Sequence, residues 1–248
     1  MMINELLKKI NTESFYFKTI PSHLLELLKI YFRLNIEGAE NIPRKGSVLI
    51  TPNHSGFTGI DALLLNYSIV KEAKRYPRIL THKFWFASQL TAIPFQKMGF
   101  FEAKYENGKN FLSKKNAVVL FPEGEQGNFK PSQKMYQLQE FKRGFVRMAI
   151  ETNSPIIPVL IIGAEESHIT LSQFNASKIF KGLTLPLPLN LVPFPAKWKI
   201  KFLEPIYLPY DNSALNDNDL IHEIASDIQE LMQKKLNEEL KKRTSIYF

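Results

Sequence analysis

The sequence predicts an α/β fold: a mixed, largely parallel sheet flanked by helices, with a helical pair at the N-terminus. Three observations predict it. Short apolar runs alternate with helical stretches from residue 47 onward, a pattern that builds strand–helix layers. The runs are near-continuously apolar, as strands buried on both faces require. At 248 residues the chain is long enough to bury a sizeable core, and a total lack of cysteine shows that it does so without disulfides.

At the N-terminus Ile3, Leu6, Leu7 and Ile10 recur at helical spacing, and a second helix is expected over Ser22–Leu34, opened by Pro21. That second segment is apolar around most of its circumference, so it either covers a core or touches a membrane surface. Ser47–Thr51, Val118–Phe121, Ile156–Ile162 and Trp198–Phe202 read as strands, with Ile79–Phe86 as a further one. Asp61–Val70, Asn107–Ser113, Phe141–Glu151 and Asp217–Leu240 read as helices, the last presenting Leu220, Ile224, Ile228 and Leu231 to the sheet. Residues 176–196 hold four prolines and many large apolar residues, among them Phe180, Leu183, Leu185, Leu187, Leu189, Leu191 and Phe194. Proline at that density forbids a long helix or central strand; a loop this apolar either folds over the core or faces lipid or an acyl chain, and the number of its apolar side chains favours the second. No linker or repeat divides the chain. One domain over 1–248 is expected, with an N-terminal segment (1–36), a catalytic core (38–210) and a C-terminal helix (211–248).

Composition narrows the chemistry. With no cysteine, thiolate metal sites, iron–sulfur clusters and cysteine nucleophiles are excluded. Residues 1–124 carry 17 basic and 10 acidic side chains, whereas residues 125–248 carry 15 and 14. The basic excess favours anionic partners such as phospholipid headgroups. A nucleic-acid partner is not expected, because the basic residues form no periodic stripe. No apolar run reaches the roughly 18 residues needed to span a bilayer, and the N-terminus lacks the order of a secretory signal. The expected location is cytoplasmic, at the inner face of the membrane.

Two clusters carry the candidate chemistry. In the first, Thr51-Pro52-Asn53-His54-Ser55-Gly56-Phe57-Thr58-Gly59-Ile60-Asp61, a strand runs into a turn holding His54, and Asp61 stands in the first turn of the next helix. A histidine accepts a hydroxyl proton near neutrality, and a carboxylate on its other ring nitrogen fixes the tautomer and stabilises the imidazolium. In the second, Val118-Val119-Leu120-Phe121-Pro122-Glu123-Gly124, a buried strand ends in a Pro-Glu-Gly turn, at the kind of strand end where α/β proteins assemble sites.

Together these clusters resemble the glycerolipid, or PlsC-type, acyltransferase family in content and order. The likeness runs over roughly residues 38–210: Asn53-His54 through Asp61, Gly99-Phe100-Phe101-Glu102-Ala103-Lys104, Phe121-Pro122-Glu123-Gly124, Phe141-Lys142-Arg143-Gly144, Pro155-Ile156-Ile157-Pro158-Val159, and Trp198 to Ile206. The resemblance implies His54 and Asp61 as catalytic residues, and Lys104, Glu123, Gly124, Lys142 and Arg143 as residues that shape the acceptor pocket or bind phosphate. It implies transfer of a fatty acyl group from acyl-CoA or acyl carrier protein to a lysophospholipid, first of all 1-acyl-glycerol-3-phosphate, at a membrane surface. No metal or cofactor beyond the thioester co-substrate is called for. A lipid-binding protein without turnover and a lipid hydrolase are the alternatives. The chain departs from the family twice: Asp61 follows His54 by seven positions instead of five, and Lys104 stands where many relatives place Arg, with no Arg close behind Glu123-Gly124.

Overall fold

A computed structural model of the chain describes residues 20–55, 58–86, 88–175 and 184–247. The predicted N-terminal helix of Ile3, Leu6, Leu7 and Ile10 lies outside them, as do Gly56, Phe57, Phe180 and Leu183. Among the described residues seven strands form one sheet: β1 (Asn35–Glu37), β2 (Val48–Pro52), β3 (Arg78–Thr81), β4 (Phe100–Glu102), β5 (Ala117–Leu120), β6 (Ile156–Ile162) and β9 (Lys199–Phe202). β7 (Thr170–Asn175) and β8 (Thr184–Pro188) pair separately as an antiparallel hairpin.

The sheet order is β1-β9-β6-β2-β5-β3-β4, and every neighbouring pair is parallel except β6 with β9. β2 therefore sits centrally, with β6 on one side and β5 on the other. The C-terminal ends of β6, β2, β5, β3 and β4 share one rim. Pro158 lies inside a central strand, where a missing N–H normally costs a ladder bond. Here β9 pairing stops at Val159, and Leu203 donates to the Pro158 carbonyl, so that side of the strand asks the proline only to accept.

Alternation along the strands builds two cores. Val48 and Ile50 of β2 pack on one face with Leu64 and Leu65 of α2 (Ile60–Ser68). Leu49 points to the other face, with Phe145 of α6 (Gly144–Thr152) and Ile221, Ile228 and Met232 of α8 (Asn218–Lys241). Asp217 caps α8 by accepting from the Asp219 and Leu220 amides. The remaining helices are α1 (Ile20–Tyr31), α3 (Gln89–Lys97), α4 (Tyr105–Ser113), α5 (Glu125–Asn128) and α7 (Ala164–Ser167). Truncating a fully buried residue such as Leu49 to Ala costs about 2–5 kcal/mol.

Three features differ from expectation, the first being that Thr184–Pro188 of the proline-rich stretch read as a loop forms strand β8. The run Ile79–Phe86 is a strand only to Thr81 and then turns into a short 3-10 helix over Lys83–Phe86. The buried face of α8 uses Ile221, Ile224, Ala225, Ile228, Met232 and Leu236, while Leu231 remains exposed. No helix among the described residues is long and apolar enough to cross a membrane. Nevertheless a broad apolar surface stays open: Leu27 and Ile30 of α1 are 64% and 71% exposed, and Leu191 and Val192 are each 77% exposed. Tyr31 Oη donates to the Pro193 carbonyl at 2.7 Å, which joins these two regions into one strip.

Candidate active site

β2 ends at Pro52, and the next residue extends the ladder with its side chain. The Asn53 amide donates to the Ile161 carbonyl (3.0 Å) and accepts from the Ile161 N–H (2.6 Å), so it pairs with β6 as a peptide group would. The chain then leaves the sheet in a fixed direction. His54 follows, its backbone N–H donating to Glu123 Oε1 at 2.9 Å. Its ring packs, tilted by 31°, with its centroid 4.1 Å from that of Phe121, the residue directly after the neighbouring strand β5.

His54 Nδ1 lies 2.6 Å from Asp61 Oδ2. The seven-position spacing is therefore closed in space. Gly59, at φ 73°, turns the chain into α2 and puts Asp61 in the first turn, where the helix N-terminus favours a negative charge. The carboxylate is wholly buried but its charge is met: Oδ2 also accepts the Ser55 N–H (3.1 Å), and Oδ1 accepts the Ala62 N–H (2.8 Å). With Nδ1 bound to the carboxylate, Nε2 is the nitrogen left for chemistry, on a side chain that keeps 15% of its exposure.

Glu123 is fully buried and both oxygens are engaged. Oε1 accepts from His54, and Oε2 accepts from the Gln139 N–H at 2.7 Å. Gly127 leaves the space this needs, since a Cβ there would come within 2.6 Å of the Glu123 side chain. Behind it stands Lys130, buried, with Nζ 3.9 Å from Glu123 Oε2, 3.0 Å from Glu165 Oε1 and 3.2 Å from the Gln137 carbonyl. Burial pushes the Glu165 carboxyl up to about 7 against the pull of Lys130. Glu165 Oε2 accepts the Tyr136 N–H, the Tyr136 hydroxyl donates to Glu166, and Arg243 closes the chain by pairing with Glu166. His168, also buried, is held below the usual histidine range by desolvation, against the opposing charge of Asp61.

The sequence-predicted residues thus fall into two sets. His54, Asp61, Glu123 and Gly124 meet at the adjoining ends of β2 and β5. Lys142 joins them: its amide donates to the Pro122 carbonyl at 2.9 Å, and a Cβ on Gly124 would lie 2.8 Å from its Nζ. Arg143 is exposed ahead of α6. Lys104 stands at the end of β4, the far edge of the sheet, where its Nζ pairs with Glu102 at 2.8 Å. Each Glu123 oxygen accepts a backbone N–H, one from His54 and one from Gln139.

Sequence reasoning missed a second pair on the rim. His82, directly after β3, places Nε2 2.9 Å from Glu125 Oε1 in α5. Reading Ile79–Phe86 as one strand hides His82 in mid-strand; its place after the last β3 residue matches the way His54 follows β2. Lys130 and Gln139 were missed too, because a buried ammonium and a backbone N–H carry no motif.

Comparison with known proteins bears on this arrangement. The family model for the acyltransferases, described simply as Acyltransferase, matches residues 33–162, which include His54, Asp61 and Glu123. An uncharacterised protein of Mycobacterium tuberculosis is 34% identical over 233 residues, covering 89% of this chain and 65% of that protein. One from Mycobacterium leprae is 32% identical, with 89% and 64% covered. The chain thus spans slightly under two thirds of the length of these relatives. A Gallus gallus protein named DGAT1/2-independent enzyme synthesizing storage lipids is 25% identical over 187 residues, covering 74% of this chain and 54% of its own. Among solved structures, the 1-acyl-sn-glycerophosphate acyltransferase PlsC of Thermotoga maritima superposes with a TM-score of 0.57 at 17% identity, covering 91% of this chain and 84% of that one, and shares its fold. On the family match, over more than half of its length, this chain belongs to the acyltransferase family.

Proposed function

We propose that the protein transfers a fatty acyl group from an acyl thioester, acyl-CoA or acyl carrier protein, to a glycerol hydroxyl, with His54 as general base. The observation that carries this reading is the 2.6 Å contact between His54 Nδ1 and the buried, amide-anchored Asp61. As the acceptor oxygen attacks the thioester carbonyl, its proton passes to Nε2 and Asp61 stabilises the imidazolium. Collapse of the tetrahedral intermediate breaks the C–S bond, and the imidazolium returns the proton to the leaving thiolate. An ester and a free thiol result. A thioester is already activated, so no covalent enzyme intermediate is required.

1-Acyl-glycerol-3-phosphate is the first acceptor to test, supported by the family resemblance and by the acceptor for which the Thermotoga enzyme is named. Lys142, beside Gly124, is the cation at the corner to meet its phosphate. A second reading, a neutral acylglycerol acceptor, is favoured by one feature: Glu125 and Gln126 follow Glu123-Gly124, so a carboxylate stands beside the corner and no guanidinium does. The name of the chicken relative points the same way. The strip of Leu27, Ile30, Leu191 and Val192 supports work at a membrane surface.

The test is a panel of acceptors, lysophosphatidate, other lysophospholipids, monoacylglycerol and diacylglycerol, offered with each thioester donor and read by lipid mass spectrometry. Acceptor-dependent ester formation supports transfer. Thioester loss independent of acceptor means hydrolysis, and lipid binding without thioester loss means a binding protein; either result overturns the reading.

A further inference from the structure

At the same end of the sheet as His54, but beyond β6, a cleft of about 230 Å³ opens between the start of β9 and the last turn of α8. Its walls carry five cations, Arg33, Lys197, Lys199, Lys242 and Arg243, against one carboxylate, Glu239. The hydroxyls of Thr244 and Ser245 also line it.

These charges do not cancel. Lys199 and Lys242 each reach Glu239 at 2.9 Å, Lys199 also reaches Glu37, and Arg243 pairs with Glu166. Burial opposes ionisation of Glu239, yet Lys199, Lys201 and Lys242 hold its carboxyl down at about 2, so its charge is fully used. Among the described residues Arg33 and Lys197 face no carboxylate: Arg33 donates to the carbonyls of Pro195 and Tyr247, and Lys197 Nζ donates to Ser245 Oγ at 2.7 Å. Two ammonium or guanidinium groups and a pair of hydroxyls thus remain to recognise an anion.

Position says which anion. Arg33 follows α1 by two residues, and its hydrogen bond to Pro195 sets the cleft beside Phe194, Val192 and Leu191, the exposed apolar strip to which Tyr31 is also tied. Cations bordering exposed apolar side chains match the boundary of a bilayer, where anionic headgroups lie next to acyl chains. We propose that this cleft binds the phosphate of an anionic phospholipid headgroup, with that lipid's chains along Leu191 and Val192, and so docks the His54 rim against an anionic membrane. The site is separate from the catalytic corner and stands whether or not the acyl-transfer reading does.

The experiment is co-sedimentation of the full chain with vesicles of phosphatidylcholine alone or doped with phosphatidylglycerol. The variants are Lys197→Gln/Lys242→Gln and, as a charge-matched control on the exposed side of α8, Lys234→Gln/Lys241→Gln, each checked for unchanged melting. The wild type is expected to prefer the anionic vesicles; the cleft variant loses about tenfold or more in binding to them, and the control loses less than about threefold. Binding to phosphatidylcholine alone is expected to stay the same in all three. Equal losses in both variants, or no anionic preference in the wild type, would overturn the site. Stabilisation of the wild type by inorganic phosphate or glycerol 3-phosphate, lost in the cleft variant and unaccompanied by vesicle preference, would assign the cleft to a free phosphate and overturn the lipid.

Discussion

Two histidine–carboxylate pairs stand on one rim of the sheet, two strands apart, and only the first has a buried, amide-anchored carboxylate. His54 meets Asp61 through Nδ1 at 2.6 Å, and Asp61 is sealed from solvent and held by two backbone amides. His82 meets Glu125 through Nε2 at 2.9 Å, with 38% and 35% of the side chains exposed. Water screens the second pair, so its worth is about 0–1 kcal/mol. Burial and anchoring, more than the identity of the two residues, separate a positioned base from an ordinary surface contact.

The sharpest way to break the comparison is at the first pair. His54→Ala is expected to lower acyl transfer by about 10³–10⁴-fold and Asp61→Asn by about 10²–10³-fold, with little change in acceptor KM, in steady-state assays with either thioester. Parity between these variants and the wild type would remove the base assignment.

Next comes the buried support behind the first pair. Lys130→Met leaves Glu123 and Glu165 buried without their cation and should cost about 3 kcal/mol in denaturant unfolding. On the proposed mechanism kcat should fall while KM holds, since Glu123 accepts the His54 backbone N–H. A loss of stability with unaltered kcat in the folded fraction would show that Lys130 serves packing alone.

The same cluster sets a pH dependence. The Glu165 carboxyl rises from 4.5 to about 7 on folding, so between those values the native state holds a proton that the unfolded chain has released. Its contribution is fully present below about 4.5 and lost as pH climbs to about 7, a change of at most about 3 kcal/mol. Melting temperature in Glu165→Gln should be flatter across this window than in the wild type; an unchanged slope would place the titration elsewhere. The smallest effect belongs to the exposed pair: His82→Ala should shift stability by less than about 0.5 kcal/mol and transfer by less than about threefold. A large loss of kcat there would erase the distinction between the pairs.

Much of this architecture was legible in the sequence for a physical reason. Strands buried on both faces read as unbroken apolar runs, and Ile156–Ile162 was placed residue for residue. Three-residue strands such as β1 and β4 are too short to show a period, and α3 carries Pro94 within it, which disguises it as a loop. Trp85 and Phe86 imitated the continuation of β3 because aromatic residues favour strands, yet the chain turns after Thr81. On α8, Ile224 and Ile228 were placed correctly, while packing turned Met232 inward where Leu231 was expected. At the site, His54 and Asp61 were marked by their places at a strand end and in the first turn of the next helix, and the two side chains meet. The bond from Glu123 to the His54 amide carried no such mark, since it joins residues 69 positions apart through an atom every residue possesses.

The path from Glu123 through Lys130, Glu165, Tyr136 and Glu166 to Arg243 has a consequence for biosynthesis. A nascent polypeptide halted on the ribosome before Arg243 already contains His54, Asp61 and Glu123, yet Glu166 would still await the guanidinium that meets its charge. The corner built around His54 and Glu123 is completed by a residue translated much later, so the charge network behind it should close only once the ribosome has passed Arg243.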